Sequence, residues 1–203
     1  MSAPDAAFAP STLADIIPRT WVRDVVLVVG FALLTAGAAQ IVIPLGFTPV
    51  PITGQTFAVL LAGGVLGAFR GAASQILYVA LGAIGLPFYA GGTGGWGVVT
   101  GATAGYLVGF VVAAFVIGAL AERRQDRKVW TAIPAFIAGS LIIYLFGALW
   151  LAYRLGIPLT GPPGETTAVA LGVAPFLVGD VLKAVLAGLL LPLGWRFARR
   201  DLG

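Results

Sequence analysis

Two charged residues, Asp180 and Lys183, lie inside an otherwise apolar stretch near the C-terminus. They are three positions apart, so in a helix they lie on the same face. Charges within a membrane-spanning helix are costly, and their usual role is to line a functional cavity. A carboxylate can accept N–H groups of a urea or amide, and an ammonium group can meet a carboxylate or a carbonyl oxygen. The pair therefore predicts a binding site for a small polar ligand, and the alternative is a structural ion pair that closes the bundle.

Two segments that we place in loops carry further candidate ligand contacts. Residues 44–56 contain three prolines, which make the segment stiff, and Thr53 and Gln55 within it offer hydrogen bonds. Residues 86–97 are rich in glycine, so their backbone can pass close to a ligand and expose its N–H groups. In this second loop Tyr89 is suited to cover an apolar ring, although a mobile surface loop has the same composition. The candidate backbone contacts of this loop are Gly91, Gly92 and Gly95.

No motif for catalysis, metal binding or nucleotide binding occurs in the sequence. The chain has no Cys and no His, which excludes disulfides, thiolate chemistry and the commonest metal ligand. We therefore predict no enzyme activity, no catalytic residue, no metal and no cofactor. Any uphill transport must draw its energy from an ion gradient or from another subunit.

The composition is that of an integral membrane protein. Of the 203 residues, 59% are hydrophobic and 10% are charged, and the mean hydropathy is +1.00. Such a chain has too little polar surface for a soluble domain. The net charge of +4 is then better explained by basic residues at the cytoplasmic surface than by nucleic-acid binding. We predict a single all-α transmembrane domain over residues 1–203, with spans at about 25–43, 56–69, 72–84, 102–120, 130–153 and 171–193.

The basic residues predict the orientation of these six spans. Basic groups precede the first span, follow the fourth and follow the sixth, and they share one side only if the chain turns at Arg70. The positive-inside rule then places both termini in the cytoplasm. Residues 1–20 lack the early apolar core of a signal peptide, and residues 12–15 are suited to cap a short interfacial helix that Pro18 ends.

Small residues recur at a spacing of four in several spans, as Ala32 and Ala36 do in the first. This spacing gives a flat helix face that a neighbouring backbone can approach. For most of these faces we expect packing inside the bundle. For Ala32 and Ala36 contact with a partner protein is the alternative.

Four segments of the chain together resemble the BioY family, the biotin-binding S components of energy-coupling factor (ECF) transporters. They are residues 49–56 (PVPITGQT), 85–95 (GLPFYAGGTGG), 105–110 (GYLVGF) and 180–183 (DVLK). The first two are specific in combination, and the last two are weak alone. The sequence departs from the family at residues 102–104. The family often has Pro-Thr-Gly before the Gly-Tyr-Leu segment, and this chain has Ala-Thr-Ala there. The resemblance covers about residues 21–196.

The resemblance implies a six-helix S-component fold with a biotin pocket near the outer face. By this resemblance Asp180 and Lys183 contact biotin, the two loops close over it, and Tyr106 joins the candidate binding residues. Ala32 and Ala36 correspond to the face that docks the transmembrane coupling subunit, and two ATPase subunits supply the energy. The chain is then expected to work in the cytoplasmic membrane of a prokaryote, in contact with lipid and with no nucleic acid. It would capture biotin with high affinity for uptake.

Three other functions compete with this interpretation. The same fold can bind another small vitamin, whereas a metal-specific S component would be expected to use His or Cys. A small ion-coupled transporter or channel needs a polar path, and the spans hold a single acidic residue, Asp180. An intramembrane enzyme needs a catalytic constellation, and the sequence has none.

Overall fold

A computed structural model describes residues 10–201 of the chain, with side chains as far as Ala198. The first nine residues of the predicted polar N-terminal segment, the side chains of Arg199, Arg200 and Asp201, and residues 202–203 lie outside the described part. The helices are α1 Trp21–Ala38, α2 Gln55–Leu66, α3 Ala68–Ala83, α4 Trp96–Val99, α5 Ala104–Glu122, α6 Val129–Leu155, α7 Ala168–Gly172 and α8 Leu177–Asp201. Short 3-10 helices cover Leu13–Ile16, Ala90–Gly92 and Ala174–Phe176.

Each of the six predicted apolar stretches overlaps one helix of at least 12 residues, but the helix boundaries differ at three places. The turn that was expected at Arg70 lies instead at Gly67, which has a φ of 84° and separates α2 from α3, so that Arg70 is inside α3. The first stretch was expected to run to residue 43, whereas α1 ends at Ala38. Beyond that end Val42–Ile43 forms strand β1, which pairs antiparallel with strand β2, Ile52–Thr53. The mostly helical fold therefore contains a small β-ribbon that the all-α prediction lacks. The last helix begins at Leu177, because Pro175 occupies the preceding 3-10 turn.

Within residues 10–201, four apolar segments are long enough to cross a membrane. They are Trp21–Ala38, Ala104–Glu122, Val129–Leu155 and Ala168–Ala198, and the last of these includes α7 and the 3-10 turn before α8. Helix α2 is apolar but shorter. A span of about 20 apolar residues crosses a hydrocarbon layer of about 30 Å. The chain is thus a multi-pass membrane protein.

Helix α5 lies at the centre of the bundle, between α2, α3 and α6. Glycines allow its close contacts. A Cβ added at Gly118 would lie 2.3 Å from the backbone nitrogen of Ala68, and one at Gly109 would lie 2.9 Å from the Cα of Ile143. Such contacts are possible only where the side chain is a hydrogen. Gly105 and Gly109 recur at a spacing of four in the fourth predicted span, and both lie against α6, so their stripe is internal packing, as expected.

The stripe of the first span is internal packing as well, so the alternative of a partner-facing stripe is wrong for Ala32 and Ala36. Ala32 has no exposed surface and Ala36 is 6% exposed, and both belong to the apolar core. On the same buried face the Oγ1 of Thr35 accepts a hydrogen bond from Nε2 of Gln75 in α3, at 3.2 Å. The opposite face of α1, which includes Gly30 and Leu33, is exposed. A partner or lipid can therefore meet α1 only on that other face.

At the end of the bundle away from β1 and β2, residues 10–17 form a segment that we call the N-terminal strap. As predicted, it contains a short helix, Leu13–Ile16, in which Asp15 accepts the backbone N–H of Thr12 at 3.1 Å. Arg70 of α3 donates to Asp15 at 2.7 Å, and Arg127 of the α5–α6 loop donates to the carbonyl of Pro10 at 2.6 Å. Basic residues from separate elements thus converge on the strap.

The charge of Asp15 is favoured in the folded chain. Burial alone would raise the pKa of Asp15, but hydrogen bonds from Ser11, Arg70 and Thr12 outweigh it and hold this pKa well below 3.8. A carboxyl whose folded pKa is depressed contributes stability above its unfolded pKa, and this contribution is lost as the pH falls through the folded pKa. The strap is therefore an acid-sensitive part of the fold.

Ala32→Leu is expected to lower the thermal stability of the purified chain, because a larger side chain must enter a packed interface. Overpacking of this kind typically costs about 1–3 kcal/mol. Gly30→Leu is the matched control, since a Cβ at Gly30 meets nothing within 4 Å. An Ala32→Leu chain that keeps parental stability and ligand binding but loses transport would restore the partner-facing assignment.

Asp15→Asn is expected to lower stability near neutral pH, and the difference from the parent should narrow as the pH falls below about 4. Thermal unfolding in detergent between about pH 7 and about pH 3 measures this difference. Glu165→Gln in an exposed loop is the control for loss of an acidic charge. A difference that stays constant with pH would assign the effect of Asp15→Asn to packing instead.

Candidate functional site

A cavity of about 260 Å³ lies at the end of the bundle opposite the strap. It is bordered by residues of the loops before α2 and before α5 and by residues of α2, α5, α6 and α8. Its volume is close to the lower end of the ~300–1,000 Å³ range of small-molecule sites. The structure brings together six of the residues predicted from the sequence: Thr53, Gln55, Tyr89, Tyr106, Asp180 and Lys183.

Asp180 is a buried carboxylate that accepts three hydrogen bonds at the cavity. It is 5% exposed, and its Oδ1 accepts hydrogen bonds from Thr56 at 2.9 Å and from Lys183 at 2.6 Å. Its Oδ2 accepts the hydroxyl of Tyr144 at 2.6 Å. A carboxylate has about four lone-pair sites, so one site on Oδ2 is left for a further donor. The buried charge is therefore satisfied by the protein and can still accept from a ligand.

Lys183 has protein acceptors for all three of its N–H donors. Besides Asp180, its Nζ contacts the backbone carbonyl of Thr53 at 2.7 Å and the Oγ1 of Thr56 at 3.0 Å. An ammonium group has three donors and no acceptor. A ligand oxygen therefore reaches Lys183 only by displacing one of these contacts.

Two tyrosines line the cavity with their hydroxyl groups already engaged by backbone carbonyls. Tyr89 donates to Val79 at 2.6 Å, and Tyr106 donates to Gly172 at 2.7 Å. The Tyr106 ring lies against Gly147, where an added Cβ would be 2.2 Å from a ring carbon. These side chains are therefore fixed in position, and they offer a ligand apolar ring surface more than hydrogen bonds.

Thr53 and Gln55 line the cavity and are hydrogen-bonded to each other. Thr53 Oγ1 donates to Oε1 of Gln55 at 2.8 Å, and Nε2 of Gln55 donates to the hydroxyl of Tyr78. Gln55 is the first residue of α2 and is 7% exposed. The Pro-rich loop is thus held against α3 beside the cavity.

The three predicted glycines do not line the cavity. Their N–H groups bond to backbone carbonyls: Gly91 to Ala39, Gly92 to Tyr89 and Gly95 to Gly82. All three have positive φ, between 67° and 92°, a conformation that glycine adopts without strain. These glycines shape the loop that carries Tyr89, and we leave them out of the proposed ligand contacts.

A family model of BioY proteins matches residues 9–200. The chain belongs to the BioY family. A biotin transporter BioY from Rhodobacter capsulatus is 44% identical over 172 residues, which cover 82% of this chain and 90% of the relative. A biotin transporter BioY from Rhizobium etli is 43% identical over 176 residues, covering 83% and 90%.

A solved structure of the same architecture is the S-component for biotin from an ECF-type ABC transporter. It matches this BioY-family chain with a TM-score of 0.75 at 27% identity, covering 84% of this chain and 89% of the other. The resemblance deduced from four short segments is therefore confirmed over most of the chain.

Thr56 and Tyr144 both contact Asp180 in this BioY-family chain, but neither was among the site residues predicted from the sequence. Tyr144 is the single polar residue in the apolar run 141–146, and that contrast was an available signal. Thr56 directly follows Gln55 in the Pro-rich segment, but its role depends on contact with α8, 124 positions away. The remaining lining is mainly apolar and includes Val50, Leu107, Phe110, Ile143 and Phe176.

Proposed function

We propose that this chain captures biotin with high affinity and serves as the substrate-binding S component of an ECF transporter for biotin uptake. Its family and relatives are transporters rather than enzymes. The observation that carries the proposal is a connected polar cluster, Asp180 with Lys183, Thr56 and Tyr144, at one part of a mainly apolar cavity. Small-molecule sites commonly combine apolar walls with a few placed polar groups.

The chemistry of biotin matches this arrangement. Its ureido ring has two N–H donors and one carbonyl acceptor, its fused sulfur ring is apolar, and its side chain ends in a carboxylate. The unused lone pair on Asp180 Oδ2 and the oxygen of Tyr144 are acceptors suited to ureido N–H groups. The sulfur ring is suited to the apolar lining formed by Phe110, Ile143 and Phe176. We therefore assign the ureido ring to the polar cluster.

We also propose six membrane spans with both termini in the cytoplasm and the cavity near the outer face of the cytoplasmic membrane. Arg23, Arg70 and Arg127 all contact the N-terminal strap, at the end opposite the cavity. An excess of basic residues is typical of the cytoplasmic side. On this orientation the cavity faces the medium from which a nutrient is taken.

The energy for uptake comes, in this proposal, from a transmembrane coupling subunit and two ATPase subunits, because the chain has no nucleotide-binding motif. The coupling subunit would meet the exposed face of α1 or another lipid-facing surface rather than Ala32 and Ala36, which are buried. Biotin uptake by cells with and without these subunits tests the requirement.

A reporter fused after Lys128 should read cytoplasmic, and one inserted near Gly92 should read external. The physical reason is the retention of basic loops on the cytoplasmic side. Alkaline phosphatase and fluorescent-protein fusions provide complementary readouts for the two sites. An external location of Lys128 would contradict the six-span orientation.

Asp180→Asn and Lys183→Ala should each weaken biotin binding by about tenfold to a hundredfold, since each removes a charge-assisted hydrogen bond worth ~1.5–3 kcal/mol. Each should also lower thermal stability, because the remaining charge is buried without its partner. Binding of labelled biotin and thermal unfolding of the purified chain measure both effects. Lys128→Ala and Glu165→Gln are controls that remove exposed charges.

The double variant Asp180→Asn with Lys183→Met separates a ligand contact from a structural ion pair. A neutral pair of similar size should regain stability, because no buried charge is left unpaired. It should not regain biotin binding, because the carboxylate acceptor is absent. A stable double variant that binds biotin like the parent would remove Asp180 and Lys183 from the site.

A further inference from the structure

The connection between α1 and α2 is unusually apolar for a segment outside the helices. We call residues 41–52 the ribbon segment; it has no charged side chain and one polar side chain, Thr48. The Thr48 hydroxyl donates to the carbonyl of Leu171 at 2.9 Å, so this polar group is turned towards the protein. The loop between α6 and α7, at the same end of the bundle, instead exposes Thr160 and Glu165. Connections that meet water are usually polar, and the ribbon segment departs from that pattern.

The ribbon segment is apolar on both of its faces. On the inner face Val50 is buried and borders the cavity, and Ile52 packs against the apolar core. On the outer face Ile41, Ile43 and Phe47 are 67%, 57% and 62% exposed. Exposed apolar side chains grouped in one segment mark a contact with another protein or with a membrane. The outer face therefore needs a second apolar neighbour.

The length of α1 places this outer face at a membrane boundary. Helix α1 has 18 residues and is about 27 Å long at ~1.5 Å per residue. The hydrocarbon layer is about 30 Å thick, and any tilt of the helix shortens its crossing further. Trp21, at the start of α1, is exposed and suited to one interface. The residues just beyond Ala38, among them Ile41, then reach the opposite boundary.

The backbone of the ribbon segment is suited to that boundary. Unpaired N–H groups are costly near hydrocarbon, and Pro44, Pro49 and Pro51 have none. The N–H groups of Thr48 and Val50 are bonded within the segment. Strands β1 and β2 pair with each other. The segment thus presents apolar side chains with few free backbone donors.

We propose that Ile41, Ile43 and Phe47 contact lipid at the headgroup–acyl boundary of the leaflet at the cavity end. The exposed face of α1, which includes Val26 and Leu33, leads along the chain into this surface, so the ribbon segment extends the lipid-facing side of a membrane-spanning helix. Its outer face carries no charged or hydroxyl group of the kind that forms the polar rim of a protein interface. This inference concerns membrane contact and holds whichever ligand the cavity takes.

The contact gives one wall of the cavity a lipid backing. The ribbon segment then lies between the membrane and the cavity, with Val50 on its inner face and Phe47 on its outer face. Lipid on the outer face keeps the apolar side chains there out of water while the inner face stays on the core.

Spin labelling tests the contact, and the absence of Cys from the chain makes every single-Cys variant a unique label site. Ile43→Cys and Phe47→Cys are the test sites, Leu33→Cys is the membrane reference and Thr160→Cys is the water reference. All four side chains are exposed, so a nitroxide at these sites displaces no packed neighbour. The full-length chain is placed in lipid nanodiscs with one chain per disc. Collision rates of each nitroxide with oxygen and with a water-soluble nickel chelate give its depth, calibrated with lipids labelled at known positions.

We expect the labels at Ile43 and Phe47 to lie about 5–10 Å into the headgroup–acyl boundary, shallower than Leu33 and protected from the nickel chelate relative to Thr160. Thermal unfolding of each labelled variant, at the parental temperature, verifies that the fold is kept. Nickel accessibility at both test sites equal to that of Thr160 would overturn the inference. Protection that arises only when two chains share a disc would also overturn it, because the outer face would then pack against a second copy.

Discussion

A carboxylate buried among apolar helices must be paired, and the rest of the site follows from how Asp180 is paired. An unpaired charge in such surroundings costs several kcal/mol or more, so the fold has to bring donors to it. They come from three places in the sequence: Thr56 at the start of α2, Tyr144 in α6 and Lys183 one turn further along α8. Satisfying this charge fixes how three helices meet at the cavity, and it leaves one acceptor site open.

Close backbone packing makes this meeting of helices possible. A Cβ at Gly147 of α6 would collide with the Tyr106 ring, and one at Gly63 of α2 would lie 2.6 Å from the carbonyl of Ala114 in α5. In a membrane the hydrophobic effect does not drive helices together, so close van der Waals contact of this kind holds the bundle instead. The glycine-rich composition is thus the means by which polar groups on separate helices come within hydrogen-bond distance.

The sequence was sufficient for the parts of the fold that depend on local pattern. Apolar length located the helices, and the unusual charges at Asp180 and Lys183 located the site. Contacts between segments that are distant in the sequence could not be predicted from local pattern. Ala32 and Ala36 have the spacing of an interface, but a spacing does not tell which neighbour fills it, and here both are buried in a bundle where α1 packs against α3 and α2. Likewise, the N–H groups of Gly91, Gly92 and Gly95 are engaged by backbone carbonyls, which glycine content alone does not reveal.

The two loops that border the cavity share one attachment point, the last turn of α1. Gly54, at the end of the Pro-rich loop, donates to the carbonyl of Ala38, and Gly91, in the Gly-rich loop, donates to that of Ala39. The ribbon formed by β1 and β2 folds the first loop back onto this same end. Helix α1 also has the lowest buried fraction of the four membrane-length segments, at 22%. A displacement of its last turn therefore moves the attachment points of both loops together, because each is joined to it by direct backbone hydrogen bonds.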